Sequence, residues 1–232
     1  MIQDYLSKSK SLFYSLLITF PLFLVYEIGI FFMFRADISY VKNGGDVLIE
    51  EFIKMLGLNG YYAASSIFIV VLFSIFISQR KKFKSFEVKY NYLFFMALES
   101  IAYAYLLLLL LLQNIYLLQG AGSNWLSSFI LSIGAGLYEE LIFRFLLIFI
   151  LTKSISFVFK VKEFYSLILS IMVSSILFSI FHYIGEESFA PISFTLRFLA
   201  GIYLSVIYIN RGFGIVALTH AFYDLFVIFR LT

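Results

Sequence analysis

No cysteine occurs in the chain, which excludes disulfides, thiol catalysis and cysteine-ligated metals. Charge is scarce: only 13% of residues are Asp, Glu, Lys or Arg, about half the share of an ordinary globular domain. Histidine is rarer, with two in 232 residues. Also missing are the His-Glu-x-x-His helix of zinc proteases, the Gly-x-Ser-x-Gly turn of serine hydrolases and the Gly-x-Gly-Asp signature of intramembrane aspartyl proteases. No second domain, soluble module, low-complexity tract or internal repeat stands out. The first long apolar stretch lacks a small-residue cleavage site and reads as a retained span rather than a signal.

What remains is apolar. Hydrophobic residues make up 62% of the chain, and the mean hydropathy is +0.97. A soluble fold cannot hide that much apolar surface, so the chain reads as a single all-α integral membrane domain over residues 1–232. Spans of about 20 residues fall near 11–34, 60–78, 91–118, 126–152, 164–184, 193–209 and 213–230. Seven is therefore the expected number, and eight would follow if glycines 134 and 136 break the fourth span into a re-entry. Pro21 is expected to kink the first span, its freed carbonyl satisfied by neighbouring helices. Residues 45–57 read as a short amphipathic interfacial helix, and 119–124 as a turn. The 30 Phe and 17 Tyr suit lipid-facing packing and interfacial belts.

Lys8, Lys10, Arg80, Lys81, Lys82, Lys84, Lys89, Lys153, Lys160, Lys162 and Arg211 fall on one set of connections. Arg35, Lys42, Lys54 and Arg230 fall on the other. The positive-inside rule then puts the amino terminus in the cytoplasm and the carboxyl terminus outside, in a cell membrane. With a net charge of only +3, the expected partners are the bilayer and a membrane-bound peptide or protein, not nucleic acid.

Three polar clusters interrupt the apolar sequence of the last hundred residues. They are Glu139-Glu140 with Arg144, His182 after Phe178, and His220 with Asp224. Ionisable groups inside spans are costly and tend to be functional. Glu140 and Arg144 are four apart, so they can pair along one helix; Glu139 is turned about 100° away. His220 and Asp224 share a face in the same manner, and the carboxylate can orient the ring. A glutamate opposite a histidine is a suitable pair for activating water. The second histidine can donate to the oxyanion formed when that water attacks a carbonyl. Taken alone, the Glu139-Glu140-Arg144 and His220–Asp224 clusters are equally well structural networks between helices, and His182 is more readily an interfacial polar residue than a catalyst; together they suffice for peptide hydrolysis without a covalent intermediate.

In order and spacing, these clusters resemble the three motifs of the CAAX protease and bacteriocin-processing (CPBP, or Abi) family of intramembrane proteases. The resemblance covers about residues 125–230, the expected protease core. It implies a helical membrane endopeptidase similar to the type II CAAX prenyl endopeptidase, which trims three residues after a prenylated cysteine. Catalytic roles would fall to Glu139 and His182, which activate water, and to His220 and Asp224 on the oxyanion side. Glu140 and Arg144 would support the site. The chain departs from the family in having Asp224 where asparagine is common, and Phe145 where glycine commonly follows the arginine. An ionised Asp224 cannot donate to an oxyanion, so its expected task is to orient His220. No cofactor is expected. The alternatives are a zinc-dependent form of the same protease, and a non-catalytic membrane scaffold or immunity protein that would keep its function after Glu139→Ala. A proton-coupled carrier is a more distant third, since no broken-helix repeat is apparent.

Overall fold

A computed structural model of the chain describes residues 2–35, 42, 44–57, 65–70, 73–74, 77, 88–111, 125–184 and 188–231. Among these residues there is no strand. The helices are α1 (Ile2–Ser9), α2 (Leu12–Arg35), α3 (Gly44–Met55), α4 (Tyr90–Leu111), α5 (Trp125–Phe159), α6 (Glu163–Phe181), α7 (Pro191–Arg211) and α8 (Phe213–Leu231). Residues 65–70 are also helical. Helices α2, α4, α5, α6 and α7 are long and apolar enough to cross a membrane, and the apolar part of α8, Phe213–Ile228, is shorter. The protein is an all-α membrane bundle. Most of the span expected at 60–78, and the turn expected at 119–124, lie outside the described residues. Helix α2 runs through Pro21 without interruption.

The glycines of the fourth span do not break it. Helix α5 is continuous, but at Ala135–Glu139 and again at Leu141–Leu147 it widens into π turns, with Glu140 between them. A true break in hydrocarbon would strand backbone groups, whereas a wider turn keeps them bonded. The absent side chain of Gly136 serves packing instead. A Cβ there would lie 2.4 Å from the Ala217 carbonyl oxygen and 2.8 Å from the Ala221 nitrogen. Helices α5 and α8 therefore touch backbone to backbone just below the acidic pair.

Small residues bring α6 and α7 together in the same way. A Cβ at Gly201 would sit 3.0 Å from the Ser175 Cβ. Such contacts are how membrane helices associate without a hydrophobic driving force. Ser179 Oγ donates to the Phe194 carbonyl across this seam at 2.7 Å.

At the far end, α7 passes to α8 through Gly212 alone, at φ +84°, where a Cβ would meet the Lys10 carbonyl at 2.7 Å. Residues 211–221 are all buried, because α2, α4, α5 and α7 pack around α8. Arg211 donates to Glu99 and to Ser9 Oγ, and Tyr5 Oη donates to Glu99 at 2.6 Å. Tyr92 and Lys89 donate to Asp4. These bonds, with that from Lys8, hold the Asp4 carboxyl well below the usual carboxylate range.

Gly136→Ala should destabilise the protein by about 1–3 kcal/mol, because backbone rather than a side chain must move. Gly29→Ala should cost less, since the added carbon meets only the flexible end of Ile130. Unfolding temperatures in detergent check the order; equal losses would contradict it.

Candidate active site

The centre of the site is an ionic group with no access to water. Arg144 Nη1 donates to Glu140 Oε1 at 2.8 Å, and both side chains are essentially fully buried. The same oxygen accepts from His220 Nδ1 at 2.7 Å, joining α5 to α8. Arg144 Nη2 approaches the Gly201 carbonyl of α7 at 3.5 Å. The face of its guanidinium is covered by the Phe178 ring of α6, 4.2 Å from Cζ. One cation thus meets an anion, a carbonyl and a π face, each from a different helix.

Phe178 is the hub of the second motif. Its ring lies edge-on to His182, with centroids 4.9 Å apart, and to His220 at 6.0 Å. His182 Nδ1 donates to the Phe178 carbonyl at 2.8 Å, so the four-residue spacing fixes both ring and tautomer and leaves Nε2 for chemistry. His182 follows the last turn of α6. The end of α6 nonetheless reaches the same cluster as the middle of α5, because both histidines lie against the Phe178 ring.

Ser174 Oγ donates to the Phe143 carbonyl at 2.6 Å. Phe143 belongs to the second π turn, so a serine of α6 satisfies a carbonyl of the widened helix. Glu139, in the first π turn, is buried at 5% exposure. It lies within Coulombic reach of His182, His220 and Asp224. Of the six residues singled out by sequence, all belong to this one cluster.

Asp224 stands at an ion-pair distance of 3.7 Å from His220 Nε2, while the shorter contact to the ring is the hydrogen bond that Nδ1 donates to Glu140. Among the described residues, no three His, Asp or Glu side chains form a group that could hold a metal ion.

Two residues near the cluster were not singled out by sequence. Arg197 on α7 is buried, lies 5.3 Å from the Tyr183 ring and acts electrostatically on His182. Tyr223, next to Asp224, is buried as well. The signal for Arg197 was present, since it is an ionisable residue inside an apolar span; Glu27 and Glu99 carried the same signal. Glu27 accepts a 2.7 Å bond from Tyr138, the neighbour of Glu139.

Residues 121–226 match the family model of the type II CAAX prenyl endopeptidase, Rce1-like. The matched region is similar to that family, one of CAAX-type membrane proteases. It runs from before α5 into α8 and contains all three polar clusters. No curated protein and no solved structure matches the chain.

Glu140→Gln should be the most destabilising polar exchange in the site. It leaves Arg144 buried without its anion, a change worth about 3–5 kcal/mol. Asp224→Asn should cost far less, since Asp224 retains partial exposure. Chemical or thermal unfolding of the two purified variants checks the ranking.

Proposed function

We propose that the protein is an intramembrane endopeptidase that cleaves membrane-associated peptides with a water activated by Glu139 and His182. The observation that carries this reading is the convergence of Glu139, His182 and His220 from α5, α6 and α8 within one buried cluster. In the proposed step, Glu139 takes a proton from water as its oxygen bonds to the scissile carbonyl carbon. The carbonyl π pair moves onto oxygen, and His220, protonated at both ring nitrogens and held at Nδ1 by Glu140, donates from Nε2 to it. Collapse breaks the C–N bond. The leaving nitrogen takes the proton from Glu139, giving an acid and an amine.

Water exclusion strengthens each of these interactions, because fixed donors act at low dielectric. The proposed mechanism is metal-free, with Glu139 itself as the base. Residues 125–230 are the proposed core. The amino terminus is proposed to be cytoplasmic, a placement supported by Lys8, Lys89 and Arg211 meeting at one end of the bundle. The substrate class is a peptide or protein held at the bilayer, prenylated or leader-bearing.

Glu139→Gln and His182→Ala should each abolish cleavage while leaving the protein folded. Peptides recovered from membranes of cells carrying the wild type should include products missing with Glu139→Gln. Identical peptide sets would sink the protease reading. Asp224→Asn should retain turnover close to wild type, because His220 is oriented by Glu140. A collapse of kcat in that variant, with its unfolding temperature unchanged, would return the orienting role to Asp224.

A further inference from the structure

Tyr223 carries a hydroxyl with no assigned work. Its side chain is 7% exposed, and among the described residues its Oη has no hydrogen-bond partner. Burying a tyrosine hydroxyl unpaired is unfavourable, and buried tyrosines normally find an acceptor. Its ring is locked by a packed cluster that includes Leu107 of α4 and Ala200 and Leu204 of α7, so the hydroxyl is held in place rather than mobile.

Its position is informative. Tyr223 follows His220 by three residues, so the two share a helix face. It lies within Coulombic reach of Asp224 and of Arg197, and Arg197 reaches His182 in turn. A buried cation and a buried O–H donor thus stand on the α7 and α8 side of the cluster. Glu139 and Glu140 supply the negative charge from α5.

We propose that the Tyr223 hydroxyl, backed by the positive charge of Arg197, is the second donor to the oxyanion, alongside His220. This rests on the protease reading above. A tetrahedral oxyanion needs donors aimed at it, and His220 alone supplies one. Tyr223 offers a further O–H one position before Asp224 on the same helix. In the step, the π pair of the carbonyl moves to oxygen as the water oxygen bonds to carbon. Tyr223 shares its proton with that oxygen by a hydrogen bond and keeps it, and the water proton resides on Glu139. When the carbonyl re-forms, the C–N bond breaks and that proton leaves with the nitrogen. Other buried hydroxyls without a partner among the described residues, those of Thr152 and Ser175, lie on α5 beyond the second π turn and at the Gly201 seam. Neither adjoins a site histidine in sequence.

The test uses the full-length protein in lipid nanodiscs with internally quenched peptides, with and without a farnesyl-cysteine. Tyr223→Phe keeps the ring and removes only the hydroxyl. It should lower kcat by about 10²–10³-fold, the usual loss for one oxyanion donor, with KM nearly unchanged. Affinity for a peptide trifluoromethyl ketone, whose hydrate mimics the tetrahedral state, should fall by a similar factor. Arg197→Gln should lower kcat less, and Arg197→Lys should recover part of the loss. An active wild type with an equally active Tyr223→Phe overturns the oxyanion role alone, as does a loss confined to KM. A wild type that cleaves none of the peptides removes the protease reading, and the oxyanion role with it. The ketone measurement distinguishes a misfolded variant, which binds neither peptide nor ketone, from one that binds peptide normally and has lost only the donor.

Discussion

Burying Arg144 beside Glu140 constrains the rest of the bundle. Taking an ion out of water costs several kcal/mol even after relaxation, and mutual attraction repays this only with good geometry and further hydrogen bonds. Those further partners come from outside α5. They are His220 of α8 on the same carboxylate oxygen, the Gly201 carbonyl of α7, and the Phe178 ring of α6. The pair is therefore stable only when four helices are in register. The close backbone approaches at Gly136 and Gly201 follow from this need, because a side chain at either position would push its partner helix away from the ions.

The π turns of α5 solve a second problem. Adjacent residues on a regular helix diverge by about 100°, which would turn Glu139 well away from the group that holds Glu140. Widening the helix on both sides of Glu140 changes that phase while retaining the 2.8 Å Glu140–Arg144 contact. Such widenings are rare and concentrate at functional sites. Here the local cost is met across the interface, where Ser174 bonds the Phe143 carbonyl. Ser174 of α6 is thus part of the cluster's support.

Much of this was legible in the sequence. Hydropathy located the helices, and the three polar clusters fell together in space because buried ionisable groups have few places to go. The four-residue spacings of Glu140–Arg144 and Phe178–His182 translated directly into contacts. Other features were not legible. A 3.6-residue period assumes a regular helix, so it left a break at glycines 134 and 136 open and could not anticipate π turns. Spacing within α8 suggested Asp224 as the partner of His220, but the nearer carboxylate came from α5, and such interhelical pairs leave no trace in periodicity. Arg197, Glu27 and Glu99 were visible as charges inside spans, yet no neighbouring motif drew attention to them.

The exchange of asparagine for Asp224 gains meaning from this arrangement. Glu139, Glu140 and Asp224 all act on His220, so a third carboxylate adds negative charge where an oxyanion must also form. A site that accepts it must separate the tasks one asparagine could combine. Orientation passes to Glu140, which already grips Nδ1. On the mechanism proposed, donation falls to an O–H or N–H on the same wall, and positive charge must lie near enough to offset the carboxylates without quenching Glu139. Arg144 meets Glu140 behind the Phe178 ring, while Arg197 of α7 is the second buried cation, acting on His182 and Tyr223.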